Sequence, residues 1–254
     1  MTLDNKVNVI VLISADTEWG VVKELFPQVE LYLSPFGEWF WINHKDLKLK
    51  QDSTSSRPII RSENVRTIFF HGGWGKIAAA ASTQYIIDHW APLLLINLGT
   101  CGGFEGDIEK GTTILVEKTI VYDIIEQMGD YDTHIAQYTT ELDLAWLGDN
   151  YPQKVSRTLL VSADRDLIAE EIQTLRDKYG AVAGDWESGA IAFVANLNQV
   201  PTIILRGVTD LVGSRGGEAY GDMEKYVMAT RSILRNLVKH LPNWIELGVQ
   251  NFEM

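Results

Sequence analysis

Four short apolar runs, VNVIVLI near the start, then VRTIFFH, PLLLIN and PTIILRGV, restrict the fold of this chain more than any other feature. They are rich in Val, Ile and Leu and lack the alternation of a half-exposed strand, which is the pattern of strands covered on both faces by crossover helices. Stretches with helical character lie between them. These are Thr17 to Leu25, stopped by Pro27; the Ala-rich GGWGKIAAAASTQYIIDHW; DLIAEEIQTLRDKYG; ESGAIAFVANLNQ; and an amphipathic helix from Asp222 to His240. The alternation predicts an α/β protein.

LYLSPFGEWFWI reads as an aromatic hairpin, KDLKLKQDSTSSRP as a polar loop, TTILVEKTIVYDI and LLVSAD as further strands, and residues 126–157 are too polar to assign. With 254 residues, 46% hydrophobic, and no repeat or linker, the chain is expected to form a single domain over 1–254. A formal charge of −12 disfavours a nucleic-acid partner, because affinity for phosphate backbones is largely cationic. No apolar run approaches the roughly 20 residues of a spanning helix, so no membrane association is expected. The start MTLDNKVNVIVLIS lacks the pattern of a secretory signal, and the lone Cys101 excludes an internal disulfide framework, so a cytoplasmic location is expected. The five scattered histidines predict no metal site, and no cofactor is implied. A small-molecule substrate fits this composition best.

Three polar clusters follow strands, where α/β sheets place ligands: ISADTEW, NLGTCGGF and VTDLVG. The glycines of NLGTCGGF either allow a tight turn or let turn amides converge on an anion, hydroxyl or water. Neither a dinucleotide fingerprint nor a Walker-type loop is present. Cys101 reads as a small buried hydrophobe. Asp210, at the mouth of PTIILRGV, is either a desolvated general acid or the partner of an N-cap, Arg206 or Arg215. Glu187 either sits on a helical first turn or, because the helix behind it is apolar on most faces, points inward and needs partners such as sugar hydroxyls.

Taken in order, HGGWGKIAAAAS, NLGTCGGF and DWESGAIA followed by VPTIILRGVTD resemble the nucleoside phosphorylase and nucleosidase superfamily, nearest its 5'-methylthioadenosine/S-adenosylhomocysteine nucleosidase branch. The resemblance covers most of the chain. It implies a mixed, partly barrel-like central sheet flanked by helices, and a homodimer or larger homo-oligomer. It also implies that Asp210 is the acid at N7 of the departing purine, that Glu187 binds ribose hydroxyls with Trp186 beside it, and that Thr100, Cys101 and Gly102 lie near base and sugar. Glu18 in SADTEW matches the carboxylate that positions and deprotonates the attacking water; its structural alternative is a solvated residue opening the first helix.

Phosphorylases of the hexameric type, which this chain also resembles, carry arginines after the first strand and before the central glycine cluster. Here ISADTEWG has none and Asn97 stands before LGT, which favours water over phosphate as nucleophile. Arg57, Arg61 and Arg66 are candidates for completing a phosphate pocket in a neighbouring subunit. A phosphorylase and a non-catalytic nucleoside-binding or storage-type relative are therefore the alternatives. SADRDL places Arg165 and Asp166 where the resemblance implies a base-stacking aromatic, and Trp186 stands where Met is usual, as core filler or as a replacement stacking face.

Overall fold

The computed structural model describes residues 7–47 and 65–250. In chain order its elements are β1 (Val7–Ile13), α1 (Asp16–Leu25), β2 (Tyr32–Leu33), β3 (Glu38–Asn43), β4 (Val65–His71), α2 (Gly75–Trp90), β5 (Leu94–Phe104), β6 (Thr113–Val121), α3 (Tyr131–Gln137), β7 (Thr139–Glu141), β8 (Ser156–Ser162), α4 (Ile172–Tyr179), β9 (Ala183–Asp185), α5 (Ser188–Leu197), β10 (Thr202–Gly213), β11 (Gly216–Gly217) and α6 (Met223–Gln250).

The uninterrupted apolar runs are strands buried on both faces. Along β1, Val9, Val11 and Ile13 join Leu234, Leu237 and Trp244 of α6 in one core cluster. The intervening Ile10 and Leu12 pack on the other side with Ala79 and Ile86 of α2 and Ile191 of α5. Successive strand side chains point to opposite faces, so a strand between two helical layers must be apolar at every position.

Among the described residues the strands form one 11-stranded sheet. Parallel pairs join β1 to β4 and to β5, and β5 to β10. β10 is antiparallel to β6, β6 is parallel to β8, β8 is parallel to β9, and β9 returns antiparallel to β5. The ring β5-β10-β6-β8-β9 is thus closed, while β1, β4, β3 and β2 extend as an open wing. This is the mixed, partly barrel-like sheet that the resemblance implied.

Several sequence expectations change. NLGTCGGF is not a turn: Gly99 through Phe104 continue β5, with Gly102 and Gly103 paired to β9. VTD is likewise not a loop but the end half of β10, where the register to β5 slips between Val208 and Asp210. Residues 126–157, too polar to assign from sequence, contain α3, β7 and the start of β8. The last helix runs to Gln250 rather than His240, through Pro242, because the apolar face continues with buried Trp244, Ile245 and Val249. That burial outweighs the roughly 3 kcal/mol an interior proline costs a helix. The hairpin prediction holds, with Tyr32 and Leu33 paired to Trp39 and Glu38. The polar loop expected over residues 45–58 lies, from residue 48 on, outside the described residues. Among the described residues no helix is long and apolar enough to cross a membrane.

Candidate active site

Glu18, Thr100 and Asp210 lie toward the carboxyl ends of the parallel strands β1, β5 and β10 or just beyond them, the usual position of α/β ligand sites, and Glu187 lies just beyond β9. β1 ends at Ile13, and only Ser14 and Ala15 separate it from α1. The short link turns the first turn of α1 inward, so Glu18 is not the solvated residue of the alternative reading. It is buried and accepts hydrogen bonds from the Thr100 amide at 2.6 Å and the Thr100 hydroxyl at 2.7 Å. Burial pushes its carboxyl above the usual range, against the opposing pull of Arg206 and the Thr100 hydrogen bonds.

The glycine of β5 beside Thr100 serves close approach rather than a turn. A Cβ at Gly99 would lie 3.0 Å from Arg206 Nη1 and 3.1 Å from Glu18 Oε1, so the strand passes under both charged groups only because nothing projects there. Cys101 is buried with Sγ 3.7 Å from the Gly207 carbonyl. Burial, then Asp185, pushes its thiol far up, which removes it as a nucleophile and agrees with the structural reading. Gly102 pairs in register with Asp210 on β10.

Glu187 occupies the position before α5 but makes no side-chain cap to that helix. Its carboxylate instead accepts from the Gly75 amide at 3.1 Å, at the start of α2. The macrodipole it meets is therefore that of α2. Burial, followed by Asp185 and Glu18, pushes Glu187 up to about 8, with Arg206 and the Gly75 amide opposing.

Arg206 supplies the positive charge at the centre of this group. It is buried in β10, its Nε donates to Asp185 Oδ2 at 2.7 Å, and its Nη2 donates to Asn97 Oδ1 at 2.6 Å. Asp185 in turn accepts from the Ser188 amide, at 3.1 Å to Oδ2, and from the Ser162 hydroxyl at 2.5 Å, which fixes the first turn of α5.

Asp210 therefore does not pair with Arg206, one of the structural alternatives, and Arg215 is exposed. Asp210 is buried inside β10 and accepts from the Thr209 hydroxyl at 2.7 Å. Thr209 is the extra residue of the register slip, a β-bulge of the kind that re-aims side chains near functional sites. Trp186 is half-buried and stacks on exposed Trp74 with ring centroids 4.5 Å apart, so it is not core filler. Arg165 turns away to Glu171 at 2.7 Å and to the face of Tyr122.

Sequence reasoning passed over three members of the cluster. Asp185, the first residue of DWESGAIA, carries no signal of its own in the sequence. Arg206 was weighed only as a counter-ion to Asp210, although an arginine inside a strand as apolar as PTIILRGV demands a buried acid, and that signal was available. Tyr226 of α6, whose hydroxyl lies beside Thr100 and Thr230, carried no sequence signal; burial and then Glu18 push its phenol up to about 12. Of the arginines considered for phosphate, Arg57 and Arg61 lie outside the described residues. Arg66 sits over the Trp41 ring, and His71 at the site end of β4 is about 16 Å further along the strand.

Fold and site together define an α/β protein that gathers buried carboxylates around one arginine at the ends of its parallel strands. A family model described as the phosphorylase superfamily matches residues 52–239, and the chain belongs to that superfamily. Within it, the chain is similar to the 5'-methylthioadenosine/S-adenosylhomocysteine nucleosidase of Hydrogenovibrio crunogenus, 23% identical over 190 residues that span 70% of this chain and 82% of that protein. Among solved structures it is similar in fold to the corresponding nucleosidase of Campylobacter jejuni, with a TM-score of 0.70, 14% identity, and coverage of 93% of this chain and 99% of that one. The Arabidopsis thaliana 5'-methylthioadenosine nucleosidase matches with a TM-score of 0.69 and 20% identity, over 94% of this chain and 96% of that one.

Proposed function

We propose that this protein is a nucleosidase that hydrolyses the N-glycosidic bond of a purine nucleoside, with 5'-methylthioadenosine and S-adenosylhomocysteine, the compounds in its relatives' names, as the first substrates to try. The observation that carries the reading is Glu18, a buried carboxylate in the first turn of α1 held by both donors of Thr100, just past the segment after the first strand where a phosphorylase of the hexameric type carries an arginine. A carboxylate whose proton affinity is raised by burial suits the removal of a proton from water and repels phosphate.

The steps follow from the charges. Asp210 gives a proton to N7 of the purine as the bond between C1' and N9 breaks, so the bonding electrons leave with a neutral base. Water adds to C1' and its proton passes to Glu18. Glu187, held by the Gly75 amide, accepts from ribose hydroxyls and fixes the sugar between acid and base. Arg206 touches none of these atoms in this account; with Nε and Nη2 taken by Asp185 and Asn97, it offsets the crowded carboxylates and is not free for a phosphate.

The test is base release from adenosine, 5'-methylthioadenosine, S-adenosylhomocysteine, inosine and uridine, each with and without phosphate. Purine release without phosphate is expected. Release only with phosphate would make the protein a phosphorylase, and release under neither condition would make it a binding protein.

A further inference from the structure

We propose that Tyr220 forms the wall against which the purine lies, making it the residue of this chain that determines base recognition; the inference rests on the nucleoside-hydrolysing reading above. A carboxylic acid that serves a purine ring nitrogen lies in or near the plane of that ring, so the faces of the base must meet whatever flanks the acid. Within SADRDL the guanidinium of Arg165 is already taken by Glu171 at 2.7 Å and by the face of Tyr122, and Asp166 has no flat ring to offer.

An aromatic ring arrives from the opposite direction. After β10 the chain doubles back through β11, pairing Val212 with Gly217 and Gly213 with Gly216, and the Glu218 amide bonds the Leu211 carbonyl at 3.0 Å. This brings Tyr220 back toward Asp210. Its hydroxyl donates to the Leu167 carbonyl at 2.8 Å, and its ring lies against Gly217, where a Cβ would be 2.4 Å from Cε1 and 2.7 Å from Cζ. The ring is thus fixed at its hydroxyl end and along its edge by backbone, yet the residue remains 45% exposed. Leu167, which anchors it, places Cδ1 3.2 Å from where a Cβ of Gly102 would stand, and Gly102 is the register partner of Asp210. Tyr220, Leu167, Gly102 and Asp210 therefore surround one place. Burial, then Asp166 and Asp210, push the phenol up, so it remains a protonated donor to Leu167 at any working pH.

A fixed aromatic face beside the leaving-group acid selects flat bases and is nearly indifferent to the sugar. Binding of the free purine base and of the free sugar, each measured by calorimetry, separates this role from a structural one. Tyr220→Leu is expected to weaken adenine binding about tenfold, in line with base–aromatic stacking, and to leave ribose binding as in the wild type. Tyr220→Phe keeps the ring and is expected to hold adenine within about threefold of the wild type, because the ring rather than the hydroxyl carries the contact. Equal weakening of base and sugar, or no weakening of either, overturns the inference. Because these are binding measurements, they remain decisive if no nucleoside is hydrolysed, and a hydrolase with unchanged adenine affinity in Tyr220→Leu would sink this inference alone.

Discussion

Arg206 and Asp185 face each other across 2.7 Å with both side chains only 2% exposed, an ion pair shut inside the sheet between β10 and the end of β9. Buried pairs add little to stability over an apolar replacement, but losing one partner leaves an uncompensated charge in the interior. Here the imbalance is sharper, since Glu18 and Glu187 also lean on Arg206. Arg206→Met is therefore expected to lose about 3–5 kcal/mol in urea denaturation. Adding Asp185→Asn should recover part of the loss, because the stranded carboxylate is then neutral. Simple addition of the two single effects would show that the pair is not the organising contact.

One arginine among three buried acids leaves protons in the site, and this fixes the sign of a pH effect. Glu187 keeps its proton in the folded state to about 8, whereas the unfolded chain releases it near the ordinary carboxylate value. Its contribution to stability is complete below that ordinary value, falls as pH rises, and is gone above about 8. Glu18, also raised, acts in the same direction. Urea midpoints of the wild type should thus fall between pH 5 and 8.5, and Glu187→Gln should flatten the fall without abolishing it. Parallel profiles for the two proteins would remove Glu187 as its source.

The strands were legible because a segment buried on both faces has no polar position to spare, as β1 shows with Val9 to Ile13 divided between two core clusters. Gly99, Gly102 and Gly103 were not, because the reason for a missing Cβ is what approaches it. Arg206, Glu18, Leu167 and Val208 come to those glycines from other parts of the chain. Asp210 and Glu187 stand out as acids beside apolar segments and Glu18 only through the family resemblance, and the fold buries all three. The partnership of Arg206 with Asp185 depends on β9, a strand of three residues too short to leave a periodic signal. Tyr220 reaches the site only through the return of β11, which local sequence does not announce.

The role proposed for Asp210 predicts a loss confined to turnover. Asp210→Asn keeps the shape and the ability to accept from the Thr209 hydroxyl, now 2.7 Å away, but has no proton to give N7. Phosphate-independent base release should fall on the order of a hundredfold or more, with a melting temperature close to the wild type's. An Asn variant at more than a tenth of wild-type turnover would reassign the acid.

Thr100 offers a test of Glu18 that leaves Glu18 in place. Its hydroxyl and amide both donate to the carboxylate and so favour the ionised form that must accept a proton from water. Thr100→Val removes only the hydroxyl donor, at 2.7 Å. Losing a hydrogen bond to a charged group should raise the Glu18 pKa, so the acidic limb of the kcat/KM profile should move up by about one pH unit. A limb that stays in place would separate Glu18 from the step that limits kcat/KM.

Gly207 is the point where α6 rests on β10, and it tests whether this packing holds the acid in position. A Cβ there would stand 2.2 Å from Ile233 Cγ2 and 3.0 Å from Cγ1, with the side chain of Ile233 confined in the core. Gly207→Ala must push the helix off the strand, and overpacking of this kind costs about 1–3 kcal/mol. The strain falls between the bulge that carries Asp210 and the helix that carries Tyr226, so kcat/KM should fall together with the melting temperature. Ile233→Ala removes the atoms in the way, and although it leaves a cavity when made alone, the double variant should be more stable and more active than the sum of the single losses allows. Strict additivity would mean that the clash is relieved elsewhere and that the seat of α6 on β10 does not set the geometry of the acid.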